Sequence, residues 1–498
     1  MEVALAYDHR TSFAMTLTDL ALNFAANLRR QPVAFNGRVK EPVLLRQLLI
    51  GLHRNIISDL RWHDPDEWRR ILDPVITVHH DQVVFEAFSS DQSSYARLSA
   101  PLDAFDLEGE VRYGTTNIDF NAGLLDALQN LRSSRRTVLR VGAGGLGVAT
   151  AVGATTRDHF ERKVDVPDTW VKGFLQVQGA LAIRPFVFDV PPEDLLSLIS
   201  FFQEHKPPHL PHGLRFELRP NAHIVAVLEP WDKRVTLRGT HYAGYERTVR
   251  VWGRKRLELL LDVLPYAQRV TVGVLGRGLP HLYICHCGPY QFALALSGWT
   301  RQDWSTDAAF DLLAPRVTLD PQRADRVYAY LGEHLAARVG EIAANTSVPA
   351  PEVEQALFQL CRAGRAMVDP ITGRYRVREL FGEPLDMRTL FAPDPRLATA
   401  EGLLAAGAVS LRDVTDAAND PKGRGEARAS AAVRDDAASA TYAVSVAVDD
   451  TGRLRFARCE CPFFQNNILA RGPCEHILAT SLALAAGKSV EVITQESA

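Results

Sequence analysis

Apolar residues recur at helical spacing through Glu41–Trp62 (EPVLLRQLLIGLHRNIISDLRW), which predicts an amphipathic helix. A second helix is expected from Asp64, with Pro65 at its first position and Asp66 and Glu67 in its first turn. Pro74–Phe88 (PVITVHHDQVVFEAF) reads as a hairpin turning near His80–Asp81. Asn121–Leu131 is expected to be a helix, Thr137–Val141 a strand and Pro192–Phe202 a helix; Thr169–Val187 carries apolar and aromatic residues. His205–Gly213 (HKPPHLPHG) is a proline-stiffened loop. Strand candidates follow, among them Leu214–Leu218 and Ile224–Leu228, then a short helix at Arg256–Leu264 and strands at Arg269–Leu275 and Leu282–Cys287. Helix and strand do not alternate strictly, so the first 318 residues read as a mixed α+β region, divided at 1–135 and 136–318.

The pattern changes at Asp320. Pro321–Ala336 is expected to be a helix and Gly340–Asn345 a shorter one. A third helix opens at Pro349-Ala-Pro351 and runs to Arg362, with Gly364 at its end. Ala366–Val368 and Arg374–Arg378 read as strands around Asp369-Pro-Ile-Thr-Gly373. This order is that of a winged helix–turn–helix module over 319–382, with Val327, Leu331, Val339, Ile342, Val353, Leu357, Leu360 and Val368 as its core. Residues 383–440 read as a linker region with some helix and strand; Asp413–Ala440, rich in Ala, Asp, Arg and Gly, shows no apolar period. Over 441–498 the chain is patterned again. Tyr442–Val448 and Arg453–Ala457 form a hairpin about Asp449-Asp-Thr-Gly452, and a helix follows from about Glu475 to Ala486.

Charge narrows the functional classes. With 56 Lys+Arg against 59 Asp+Glu the net charge is -3, which excludes a whole-molecule basic field for DNA or anionic lipid. No apolar run approaches the roughly 18 residues of a membrane span, and Met1–Arg10 lacks a signal core; a cytoplasmic protein with no membrane association is expected. Six cysteines in 498 residues are no disulfide framework, but three of them crowd the last forty residues.

Those three belong to Cys459-Glu-Cys461, twelve residues, then Cys474-Glu-His476, a C-x-C-x12-C-x-H array. Three thiolates and one imidazole saturate a tetrahedral Zn²⁺. At a strand end, residues i and i+2 share a face, so Cys459 and Cys461 reach one ion from the hairpin, while Cys474 and His476 lie in the turn into the last helix. Four protein ligands leave no open coordination position, so the site reads as structural, clipping hairpin to helix. Arg458 and Arg471 flank it and are candidates to balance its negative charge.

This array, with Pro462-Phe-Phe464 behind the C-x-C and Gly472-Pro-Cys-Glu-His-Ile-Leu-Ala479 opening the helix, resembles the SWIM zinc finger. The longer chain resembles bacterial SWIM zinc finger family proteins, through Thr169–Gln178, Val251–Leu257 and Phe292–Thr300. The resemblance implies one structural zinc ion, a C-terminal ββα finger and contacts with DNA or protein. It also implies partners in a MoxR-type AAA+ ATPase and a von Willebrand A-domain protein. Glu475 stands where basic residues are common in the family, which weakens the nucleic-acid side of that expectation.

Other motifs are weaker. Gly142-Ala-Gly-Gly-Leu-Gly147 fits G-x-G-x-x-G, but neither a good helix nor an acidic strand end follows, so a glycine-rich turn is the preferred reading. Cys285-His-Cys287 with His281 reads as core rather than a second metal site, and the histidines at 205, 209, 212 and 223 as solvated. Arg250, Arg254, Lys255 and Arg256 form the densest basic cluster, a candidate anion site beside Trp252. Arg365, Arg374, Arg376 and Arg378 on the wing are candidate nucleic-acid contacts. The recognition helix Pro349–Arg362 carries Glu352 and Glu354 against Arg362, and 441–498 holds five basic and six acidic side chains. Near-neutral modules favour protein over DNA. The expectation is therefore a zinc-binding, non-catalytic adaptor. A DNA-binding regulator is the alternative, and a nucleotide-binding enzyme in the first 315 residues the third.

Overall fold

An eight-stranded antiparallel sheet organises the computed structural model of the chain. Its order is Phe186–Val190, Arg269–Val274, His281–Cys287, Tyr290–Leu296, Ser94–Pro101, Gln82–Phe88, Val75–Val78, Gly114–Asn117. The structure describes residues 2–7, 12–15, 19–25, 33–58, 74–117, 128, 133–134, 136–142, 160–165, 168–183, 185–209, 212–298, 304, 309–314, 319–370, 372–380, 394–419, 425–449 and 451–487. The expected helix at Asp64, all of the Asn121–Leu131 helix but Leu128, and the Gly142–Gly147 loop beyond Gly142 lie outside the described residues. The hairpin expected at Pro74–Phe88 forms, with Val75–Val78 paired to Gln82–Phe88. One sheet thus draws strands from both stretches, 1–135 and 136–318, because Ser94–Pro101 pairs with Tyr290–Leu296.

The two faces of this sheet differ. In QVVFEAF, Val83, Phe85 and Ala87 enter one core, while Phe88 enters the other beside Glu86. The period-2 pleat forces that separation. The first face is covered by the helix Pro42–Ile56, whose Leu45, Leu48, Leu49, Leu52 and Ile56 form a buried stripe. Gly51 allows that helix close approach: a Cβ there would stand 2.6 Å from Cγ2 of Val263. The same core takes in the helix Pro192–Glu204 and a four-stranded sheet ordered Lys233–Thr236, Val225–Leu228, Leu214–Leu218, Arg247–Val251. A five-stranded sheet adds Phe35, Phe105 and Leu139. Cys285 and Cys287 are fully buried in this core.

The second face carries everything toward the C-terminus. The helix Asp168–Leu181, for which the sequence offered only apolar content, lays Phe174 against Phe88 and Tyr95. Beyond it stand the helices Pro321–His334, Val339–Thr346 and Ala350–Arg362, followed by Ala366–Val368 and Tyr375–Val377, which with Ala336–Ala337 make a three-stranded sheet. Of the expected core of this segment, Val339 is half-buried and the other seven residues are buried. The last layer is an antiparallel meander, Val409–Thr415, Ala427–Asp435, Ala440–Val448, Leu454–Cys459, with the helices Pro395–Ala405 and Glu475–Ala485. Asp413–Ala440 is therefore not a linker throughout. Ala427–Asp435 pairs on both edges, and Ala429, Ala431 and Val433 supply its buried side. No helix among the described residues is long and apolar enough to cross a membrane.

Buried ion pairs join these layers. Arg378 donates through Nη1 to both carboxylate oxygens of Glu86 at 2.9 Å, and Tyr95 donates its hydroxyl to the same carboxylate at 2.5 Å. Arg97 meets buried Asp369 at 3.2 Å, and buried Arg376 reaches the exposed Asp81 at 2.8 Å. On the far side Glu354 accepts from Arg453 at 2.5 Å and from Tyr375 at 2.7 Å. Arg378 and Glu86 are fully buried, so removing one partner strands the other in a medium of low dielectric. Glu86→Gln is expected to destabilise the fold by about 3–5 kcal/mol in chemical denaturation, whereas Glu86→Leu with Arg378→Met recovers most of that loss.

His79 and His281 are also buried, each with one ring nitrogen lacking a hydrogen-bond partner. Burial pushes both down to about 3, with help from Arg376 and Arg97 at His79 and from Arg256 at His281. The unfolded chain takes up these protons below about pH 6.5, while the folded chain does not until about pH 3. Stability is thus intact above pH 6.5 and falls through that window. Denaturation followed between pH 6.5 and pH 4 should lose about 1.4 kcal/mol less per pH unit in His281→Leu than in the parent.

Candidate metal centre

The four ligands expected from the C-x-C-x12-C-x-H array come together, and local structure explains how. The strand Leu454–Cys459 ends on the first of them. Cys461 then precedes the short helix Pro462–Asn467 and caps it, its Sγ accepting from the Phe464 N–H at 3.4 Å. Cys459 Sγ accepts from the Cys461 N–H at the same distance. The chain returns through Gly472, whose φ of 77° favours glycine and whose hydrogen faces the Ala309 carbonyl; a Cβ would approach that oxygen to 2.5 Å. Cys474 stands at the N-cap position of the helix Glu475–Ala485 without a side-chain hydrogen bond to it, and His476 sits in the first turn.

The donor atoms of Cys459, Cys461, Cys474 and His476 all lie within 4.8 Å of one another, and all four residues are buried. Tetrahedral zinc with about 2.3 Å Zn–S arms needs sulfur separations near 3.8 Å, so the cluster is of the right size. Two further observations point to a cation. Nδ1 of His476 is buried without a hydrogen-bond partner, while Nε2 lies 3.2 Å from a carboxylate oxygen of Asp435. An imidazole ligand oriented by a carboxylate on its other nitrogen has this arrangement. Cys461 and Cys474 also compete to ionise. Hydrogen bonds from Cys459 and Cys474 hold Cys461 far below the usual thiol range, and hydrogen bonding to Cys459 drives Cys474 far above it. A divalent ion removes that competition by letting all three bind as thiolates. The residues fit one structural Zn²⁺.

Several supporting residues escaped the sequence reading. Arg396, paired with Asp394, donates to the carbonyls of Arg471 at 2.8 Å and Pro473 at 3.0 Å, fixing the loop before Cys474. Its guanidinium also lies over the Phe463 ring. Gln465 donates to the Cys459 carbonyl at 2.8 Å, and Tyr442 packs its ring 4.7 Å from that of His476. Asp435 and Arg396 come from 383–440, where composition carried no metal-site signal. Arg458 and Arg471, expected as charge balance, are exposed.

The basic clusters are dispersed. Arg250 pairs with Glu229 at 2.8 Å, and buried Arg254 donates to the Glu229 carbonyl. Arg256 lies buried 3.6 Å from Asp91, and only Lys255 of the four is exposed. They form no common anion-facing surface. Of the arginines expected as nucleic-acid contacts, Arg376 and Arg378 are directed into the ion pairs with Asp81 and Glu86, and Arg374 meets Glu341 at 2.8 Å; Arg365 is exposed. A phosphate backbone would thus reach few of the cations assigned to it from sequence. The histidines at 205, 209, 212 and 223 are exposed.

Residues 442–485 match the family described as SWIM zinc finger. No curated protein matches the chain in sequence. Among solved structures, the crystal structure of proliferating cellular nuclear antigen from Entamoeba histolytica aligns over 53% of this chain and 99% of that one, with 13% identity and a TM-score of 0.36.

Metal analysis of the purified chain is expected to give one zinc per molecule, and Cys474→Ser none, with loss of the C-terminal helix by circular dichroism. Asp435→Asn, which keeps the fold but weakens the orienting contact, is expected to lower zinc affinity about 10–100-fold in a chelator competition.

Proposed function

We propose that this chain, whose residues 442–485 form a SWIM zinc finger, is a zinc-stabilised scaffold that presents surfaces to protein partners. The observation that carries the reading is the closed metal centre. Cys459, Cys461, Cys474 and His476 are all buried and come from one chain, so the ion has no position for a substrate. Its work is to hold the end of the Leu454–Cys459 strand against the Glu475–Ala485 helix.

The segment 319–382 is read here as a winged helix–turn–helix module turned to internal use. Three helices followed by a hairpin, with a three-stranded sheet, are the order such modules have. Its third helix buries Val353, Glu354, Leu357 and Cys361, and its wing buries Arg376 and Arg378. A helix and wing engaged in this way favour packing over reading a groove. The partner set suggested by resemblance is a MoxR-type AAA+ ATPase with a von Willebrand A-domain protein, in a cytoplasmic assembly.

Purification at native expression level, followed by light scattering on the eluted species, tests this. A stoichiometric complex with the ATPase is expected. A chain that elutes alone and binds duplex DNA with a steep salt dependence, abolished by Arg365→Ala with Arg374→Ala, would refute the scaffold in favour of a DNA regulator.

A further inference from the structure

A cleft of about 840 Å³ opens between the zinc unit and the two sheets before it. Three edge strands converge on it. Phe186–Val190 is the outer strand of the eight-stranded sheet, Arg247–Val251 that of the four-stranded sheet, and Leu454–Cys459 that of the zinc meander. Edge strands present backbone donors and acceptors to a further chain and are normally shielded when they serve no purpose.

The cleft is strongly cationic in a chain of net charge -3. Arg247, Arg277, Arg455 and Arg458 line it against Glu246, while Arg428 is paired with Glu426 at 2.6 Å. Aromatic residues lie among them. The Arg247 guanidinium sits 3.5 Å from the centre of the Phe186 ring and that of Arg455 5.3 Å from it. Arg428 lies 6.0 Å from the centre of Phe456. Tyr245 and Phe456, at 40% and 46% exposure, are among the few large apolar side chains left open to water, and both line this cleft.

We infer that this cleft is a binding site for an extended acidic segment of a partner protein, added alongside the Leu454–Cys459 edge with its carboxylates on the arginines. The inference rests on the scaffold reading and names the chemistry of the partner. The exposed guanidinium groups of Arg277 and Arg458 offer forked N–H pairs to carboxylates. With the Arg247 guanidinium 3.5 Å from its centre, the Phe186 ring already carries a cation, whereas stacking of bases on bare rings is what single-stranded nucleic acid requires. An open strand edge, by contrast, matches the main-chain hydrogen bonds of a peptide. Alternation along the edge supplies the register: Ala457 and Cys459 are buried, while Phe456 and Arg458 face outward. A segment with acidic residues at every second position, separated by small apolar ones, meets both features.

The zinc-loaded full-length chain can be titrated into a labelled peptide of about twelve residues alternating Glu with Val, long enough to run past the six-residue edge. Binding that weakens with salt is expected. It should weaken at least about tenfold in the charge reversal Arg277→Glu with Arg458→Glu, both exposed positions at which folding is not at stake, and remain unchanged in Lys255→Glu outside the cleft. Equal binding of the Gln–Val peptide, indifference to the reversal, or tighter binding of an oligothymidylate would overturn the inference. Peptide binding absent while the ATPase complex forms would remove the cleft and leave the scaffold. Peptide binding intact while no partner complex forms would do the opposite.

Discussion

A charge withdrawn from water must meet an opposite charge, and in this chain that requirement decides how distant segments sit. Glu86 lies on the sheet face that also carries Phe88 and Arg97, and it is tolerated there because Arg378 and Tyr95 satisfy it. Asp369 plays the same part for Arg97. Glu354, on the helix Ala350–Arg362, closes the other side by accepting from Arg453 and Tyr375. Such pairs add little net stability over apolar packing, but they tolerate one arrangement and penalise its neighbours. A helix sliding by one turn on the sheet would separate every pair. Hydrophobic contact alone is far more forgiving.

The zinc unit illustrates a different solution to the same need for a unique arrangement. Its meander buries small side chains, Ala429, Ala431, Ala447 and Ala457 among them, so the helix Glu475–Ala485 can approach the sheet closely, yet little apolar volume is enclosed. Metal ligation supplies what packing lacks. Arg396 then ties the ligand loop to a helix that precedes the meander in sequence, and Asp435 does the same from the end of a strand. The centre is therefore held by residues spread over much of the C-terminal third rather than by a self-contained finger.

What was legible in the sequence was local. The four ligands were readable because their spacing fits one ion, and the hairpins at Pro74–Phe88 and Tyr442–Ala457 because alternation and turn residues lie side by side. The Ala427–Asp435 strand was not, since alanine at alternate positions is too weakly apolar to mark a buried face. The arginines were misjudged for another reason. Arg376 and Arg378 look like a basic wing, and nothing within a few residues announces that Asp81 and Glu86, some 290 positions away, await them. The cluster at Arg250–Arg256 separates because successive residues of a strand and a tight turn point in different directions, toward Glu229, solvent and Asp91. Sequence gives the density of charge, whereas topology assigns its direction.

Arg453 immediately precedes the short strand that ends at Cys459; the first engages Glu354 and the second belongs to the metal-binding cluster. Rigid connection of two binding events makes them thermodynamically reciprocal. By linkage, the effect that zinc has on the grip of the helical layer on Arg453 equals the effect of that grip on the affinity for zinc. Metal availability would then be felt far from the thiolates, as a change in how firmly the central layers of the molecule are joined.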